Sequence, residues 1–265
     1  MDGHAMAFRK PSVSGDNKPA KSALSNLSHY AISVCGRLRV TTETTGFRIP
    51  LGSIVAVNHS SVVDPFVVAA ALRHCGVNEP VALAAAGLWK VPLLGRQLRS
   101  EGHIPVRRGS GQGNQALDLA AQALSAGRIV VIYPEGGLPR RRGAAEEPPR
   151  VFRSGLARLA LASHAPVVPL GHVGSRAIAA GGSWRQLADV ATAPARRPWL
   201  SAHFGEPLTL DRPVPAATQA AHDAVTAAWQ AAAAAHLDTD STGRGRLGRR
   251  WCFATGPGPG RGRSW

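Results

Sequence analysis

The sequence predicts a single α/β domain built on a central, largely parallel sheet flanked by helices. Three observations carry this. Short, mainly apolar runs at 52–58, 128–133 and 166–170 have the length and β-branched content of strands buried on both faces. Helical segments at 65–72, 114–126 and 155–162 alternate with them, as a parallel sheet requires. Gly and Pro punctuate the joins, notably Gly52, Pro65, Gly127 and Pro134.

The elements follow in order. Leu24, Leu27, Tyr30, Ala31, Val34 and Leu38 recur at spacings of three and four, which predicts an amphipathic helix over 22–39 with Arg37 and Arg39 at its end. Its apolar face suits either the domain itself or a membrane surface. After the strand at 52–58 the chain turns at His59 and enters a helix whose first turn tolerates Pro65. Segment 80–87 fits strand or helix, and 102–106 a short strand. Asn114 can cap the helix that Gly127 stops. A further strand is expected at 200–205, and the Ala-rich stretch 216–237 has high helix propensity. The domain therefore spans 23–238. Residues 1–22 form a flexible lead without the apolar core of a secretory signal, and 239–265 a disordered basic tail rich in Gly, Pro and Arg.

Of 265 residues, 31 are Lys or Arg and 16 Asp or Glu, a net charge of +15. The excess is unevenly placed. Residues 1–22 hold four basic and two acidic residues, 241–265 six arginines and no acid, and 23–240 the remaining +7. Such a balance points to an anionic partner. No run of about 18 apolar residues is present for a membrane-spanning helix. Cys35, Cys75 and Cys252 are too few for a disulfide framework or a zinc site, which argues for a reducing compartment. His103, His164, His172 and His203 match no metal-ligand spacing, and no metal is expected.

The densest chemistry lies at Asn58-His59-Ser60-Ser61-Val62-Val63-Asp64-Pro65, where a strand hands over to a helix. An H-x4-D spacing across that turn lets Asp64 fold back on the His59 ring. A carboxylate on one ring nitrogen fixes the tautomer and leaves the other as a proton acceptor. That is a base with its orienting acid, lacking a serine in a nucleophile elbow. The alternative is a loop histidine capped by a nearby acid. Downstream, in order, come Gly102-His103-Ile104-Pro105-Val106-Arg107-Arg108, then Tyr133-Pro134-Glu135-Gly136-Gly137, then Ala165-Pro166-Val167-Val168-Pro169-Leu170.

Together these four blocks, and the connecting text over about 40–210, resemble the glycerolipid acyltransferase family, the 1-acyl-sn-glycerol-3-phosphate (lysophosphatidate) acyltransferases. The resemblance implies a glycerol-3-phosphate acyltransferase-like fold. It implies transfer of a fatty acyl group from acyl-CoA or acyl carrier protein to a lysophosphatidate-type hydroxyl in phospholipid biosynthesis, with no cofactor. His59 and Asp64 become the catalytic pair. Arg108, then Arg107, take the acceptor phosphate; Glu135 and Gly136 help bind the acceptor; Asn58 and Ser60 flank the base as further binding or bracing residues; Pro169 shapes the acyl region. The implied setting is cytoplasmic and peripheral on the inner face of the cell membrane, in contact with anionic lipid and not with nucleic acid. One block departs from the family: where Thr-Arg usually follows Glu-Gly, this chain has Gly137-Leu138. Arg140, Arg141 and Arg142 follow in a basic loop, 140–150, that reads as flexible and able to border the site. The missing arginine keeps open a different acceptor, an amine or hydroxyl of a specialised metabolite. A non-enzymatic binder of anionic surfaces is the remaining reading.

Overall fold

The computed structural model describes residues 23–107, 113–138, 146–179 and 183–242. The chain-end segments expected to be disordered lie largely outside these, as do Arg108, Arg140, Arg141 and Arg142.

Among the described residues seven strands form one sheet: β1 (Arg37–Thr42), β2 (Ile54–Val57), β3 (Val81–Ala85), β4 (Ile104–Val106), β5 (Val130–Ile132), β6 (Val167–Val173) and β7 (Trp199–Phe204). Their order is β1-β7-β6-β2-β5-β3-β4. Every neighbouring pair is parallel except β6 and β7. The helices are α1 (Ala23–Cys35), α2 (Asp64–His74), α3 (Leu94–Ser100), α4 (Gly113–Ser125), α5 (Gly155–Ser163), α6 (Ser175–Ile178), α7 (Ser183–Arg196) and α8 (Val214–Thr242), with a 3₁₀ turn at Ala86–Lys90.

The apolar runs form strands because both sheet faces are covered. β2 lies at the centre, paired with β5 and β6, and all four of its residues are buried. Ile54 and Ala56 point into one core with Ala120 of α4, Leu156 of α5 and Val225 of α8. Val55 and Val57 point into the other with Val68 and Leu72 of α2 and with Phe204. Alternation along β2 thus feeds two cores at once. The parallel strands β2, β3, β4, β5 and β6 all end at one edge, so the segments that follow them gather there.

The expected helix over 22–39 is divided. α1 stops at Cys35, and Gly36 sits where a Cβ would lie 2.8 Å from the Leu200 side chain. Arg37 then enters the edge strand β1, with its guanidinium over the Trp199 ring. The helix also turns a different face inward. Ser25, Ser28 and Ile32 are buried, while Leu27, Tyr30 and Val34 are exposed. Small serines let α1 approach α2 closely, a preference that counting apolar residues does not register. Segment 80–87 resolves into β3 and the start of the 3₁₀ turn. α8 runs to Thr242, past the domain boundary read from composition. α3 and α7 were not anticipated.

Candidate active site

The turn after β2 carries His59, and α2 opens on Asp64, which is fully buried. Its carboxylate folds back over the turn. Asp64 Oδ2 lies 2.9 Å from His59 Nδ1 and accepts the N–H groups of Ser60 at 2.6 Å and Ser61 at 2.8 Å. Burial pushes the Asp64 carboxyl upward; His172 and His59 nearby and the Ser61 N–H outweigh that and hold it below the ordinary aspartate value. The ionised carboxylate accepts from His59, so Nδ1 carries the proton and Nε2 is the acceptor. Neither neighbouring hydroxyl is placed as a nucleophile. Ser61 Oγ donates to the Ala179 carbonyl at 2.8 Å, and Ser60 Oγ to Asp64 Oδ1 at 3.4 Å.

The backbone of His59 is held from other strand ends. After β5, Glu135 Oε1 accepts the His59 N–H at 2.8 Å. Its other oxygen meets Arg150 Nε at 3.0 Å, and Arg150 Nη2 donates to the Gly137 carbonyl at 2.6 Å. Asn58 and His172 of β6 exchange bonds reciprocally: the Asn58 amide donates to the His172 carbonyl, its oxygen accepts the His172 N–H, and His172 Nε2 donates to the Asn58 carbonyl. Arg176 of α6 donates to the Ser60 carbonyl at 2.9 Å. Asn58 and Ser60 are both buried in this bracing. The Tyr133 ring lies 4.4 Å from the His59 ring, forming the wall beside it.

His59 faces a cavity of about 680 Å³. Leu83, Leu88, Val106, Leu117, Ile132 and Leu156 give it an apolar wall; Arg107, Arg153 and Arg158 line it as cations. Among the described residues no Asp or Glu lines it. Gly136 also lines it, with φ of 75°, and a Cβ there would lie 2.3 Å from Arg153 Nε. The glycine is thus needed twice, for a left-handed turn and for the arginine packed on that turn.

The geometry brings His59, Asp64, Glu135, Gly136, Asn58, Ser60 and Arg107 to one strand edge. Glu135 is turned inward onto the His59 backbone. Leu138, at the departure from the family pattern, lines the cavity. The end of the supposed flexible loop is fixed: Glu146 is buried and accepts the Gly174 N–H at 2.8 Å, and Arg150 clamps Glu135. Burial raises the Glu146 carboxyl to about 7. The sequence reading missed Arg150 and Arg153, though Arg153 stands just before the α5 start in a segment that resembles the family. It also missed that His172 sits 3.8 Å from Asp64. His103 accepts the Ala82 N–H, and among the described residues no group of three His, Cys, Asp or Glu could hold a metal ion.

The histidine–aspartate pair stands at a largely apolar cavity lined by three guanidiniums, an arrangement chemically able to take a proton from an incoming nucleophile. The acyltransferase family profile matches residues 40–173, half of the chain, and the chain belongs to that family. The fold is similar to that of the 1-acyl-sn-glycerophosphate (LPA) acyltransferase PlsC from Thermotoga maritima, with a TM-score of 0.57 and 16% identity over 78% of each chain. No curated protein sequence matches it.

Proposed function

We propose that this acyltransferase moves a fatty acyl group from a thioester, acyl-CoA or acyl carrier protein, to the hydroxyl of a lysophosphatidate-type acceptor. The observation that supports the reading is the two-sided cavity at His59, apolar enough for an acyl chain and cationic enough for a phosphate. In the reaction the acceptor O–H proton passes to His59 Nε2 as its oxygen bonds to the thioester carbonyl carbon. The tetrahedral intermediate collapses, the C–S bond breaks, and the departing sulfur takes the proton back from His59. Asp64 holds the ring and balances its transient positive charge. The energy comes from the thioester, so no cofactor is needed.

On this reading the enzyme works as a peripheral protein on the cytoplasmic, inner face of the cell membrane, in phospholipid biosynthesis. The positive balance supports an anionic setting. Among the described residues no helix is long and apolar enough to cross a membrane. The test is incubation with labelled palmitoyl-CoA and palmitoyl carrier protein against a panel of lysophospholipids and amines, with mass detection of products. A phosphatidate product that His59→Ala does not form supports the proposal. Leu138 in the usual arginine position favours a second reading, an amine or hydroxyl of a specialised metabolite as acceptor, and an acylated amine in the same panel would replace the first.

A further inference from the structure

Between the 3₁₀ turn and α3 the chain runs Val91-Pro92-Leu93-Leu94. Leu93 has φ 61° and ψ −55°, and the Leu94 N–H donates to the Pro92 carbonyl at 2.6 Å. This is a γ-turn centred on a leucine, a strained geometry that side-chain-bearing residues rarely adopt. The strain lifts the side chain away from the domain: Leu93 is 83% exposed, Val91 47% and Leu88 41%. The turn is braced. Gly95 N–H donates to the Val91 carbonyl at 2.8 Å, and a Cβ on Gly95 would lie 2.3 Å from the Trp89 carbonyl oxygen. An apolar tip held out by a braced, strained turn has nothing to gain from water.

Charge says what covers it. Lys90, Arg96 and Arg99 flank the tip, all exposed, and residues 86–100 contain no acid. Apolar side chains collared by cations match an anionic lipid surface, with tails below and phosphates at the rim. The tip is also continuous with the cavity. Leu88 belongs to both, and Val62, half-exposed, lines the cavity beside His59.

We propose that the Val91–Leu93 turn is a membrane-inserting tip that seats the cavity mouth on an anionic bilayer, with Leu88 and Val62 as the apolar path to His59. The route to the base rests on the acyl-transfer reading given above; the insertion itself does not.

The experiment uses the full chain and vesicles of phosphatidylcholine alone or with one third phosphatidylglycerol, in co-sedimentation. Wild type should partition onto the anionic vesicles and less so as salt rises. The double variant V91S/L93S should lose roughly tenfold or more in partition, the transfer free energy of the buried side chains. Leu93→Gly should lose binding similarly while keeping the positive φ, so a folding failure of the serine variant cannot hide the result. All three proteins should turn over a short-chain, water-soluble acceptor equally. Equal partition of wild type and variants would falsify the proposal and move lipid binding to the basic segments elsewhere. A wild type that self-associates without vesicles, and variants that do not, would overturn it in favour of a contact between copies. Absence of turnover in every protein, with the partition difference intact, would count against the acyl-transfer reading and leave the insertion standing.

Discussion

Glu135 holds His59 by its backbone: one carboxylate oxygen accepts the His59 N–H at 2.8 Å, and the other meets Arg150 at 3.0 Å. The acid that follows β5 therefore sets the position of the histidine that follows β2. Glu135→Ala should lower kcat roughly ten- to a hundredfold with little change in KM, because a small displacement of the base weakens the reaction more than binding. Glu135→Gln, whose amide oxygen can still accept, should recover most of the rate. Steady-state kinetics decide the matter, since a residue that binds acceptor directly would raise KM instead.

Asp64 should matter through the tautomer it selects. Asp64→Asn places an amide against Nδ1 and removes the charge that balances imidazolium, and kcat should fall about 10²–10⁴-fold. Its carboxyl is held below the ordinary value in the folded chain. The stability it contributes is thus complete above the unfolded aspartate pKa and is lost as pH falls through the lower folded value. Denaturant midpoints between pH 6 and pH 2 should show a steeper acid loss in wild type than in Asp64→Asn.

Glu146 has the opposite sign. With a folded value near 7, the folded chain holds a proton that the unfolded chain releases near 4.5, so stability falls as pH rises between the two and levels off above 7. The fall is about 3 kcal/mol. Glu146→Gln should abolish it, which thermal unfolding at pH 5 and pH 8 in both proteins measures directly.

Arg153 packs against the turn of Gly136 and lines the cavity with Gly137 and Leu138. On the proposed function it supplies a guanidinium near the place the family usually gives one. Arg153→Ala should raise KM for a phosphorylated acceptor about ten- to hundredfold, the value of one charge-assisted contact, and leave an uncharged acceptor little affected. Gly136→Ala should lower stability by about 1–2 kcal/mol from its positive φ and disturb the same KM, because its methyl group collides with Arg153.

The local part of the site was readable. His59 and Asp64 are close in sequence, and a strand-to-helix turn between them leaves few ways to arrange the pair. The alternation of apolar runs and helical segments likewise sufficed for a mostly parallel sheet. What stayed hidden depends on strands far apart in sequence arriving side by side. Nothing near Glu135 says that its carboxylate meets the His59 N–H, and nothing near His172 says that it pairs with Asn58. β1 escaped notice because an edge strand reading Arg-Leu-Arg-Val-Thr-Thr alternates charge with apolar groups, and a preceding helical periodicity ran into it. The buried face of α1 was misread because Ser25 and Ser28 occupy the close contact that apolar counting assigns to larger residues.

The central position of β2 has one more consequence. The loop bearing His59 is tied to the ends of β5 and β6, strands laid down far later in the chain than β2 itself. A ribosome that has released only the first 130 residues has made His59 and Asp64 but none of their outer supports. The chain should therefore acquire its reactivity late and all at once, when the sheet closes. Turnover then serves as a gauge of completed assembly, and a nascent or half-folded copy leaves the cell's activated acyl groups unspent.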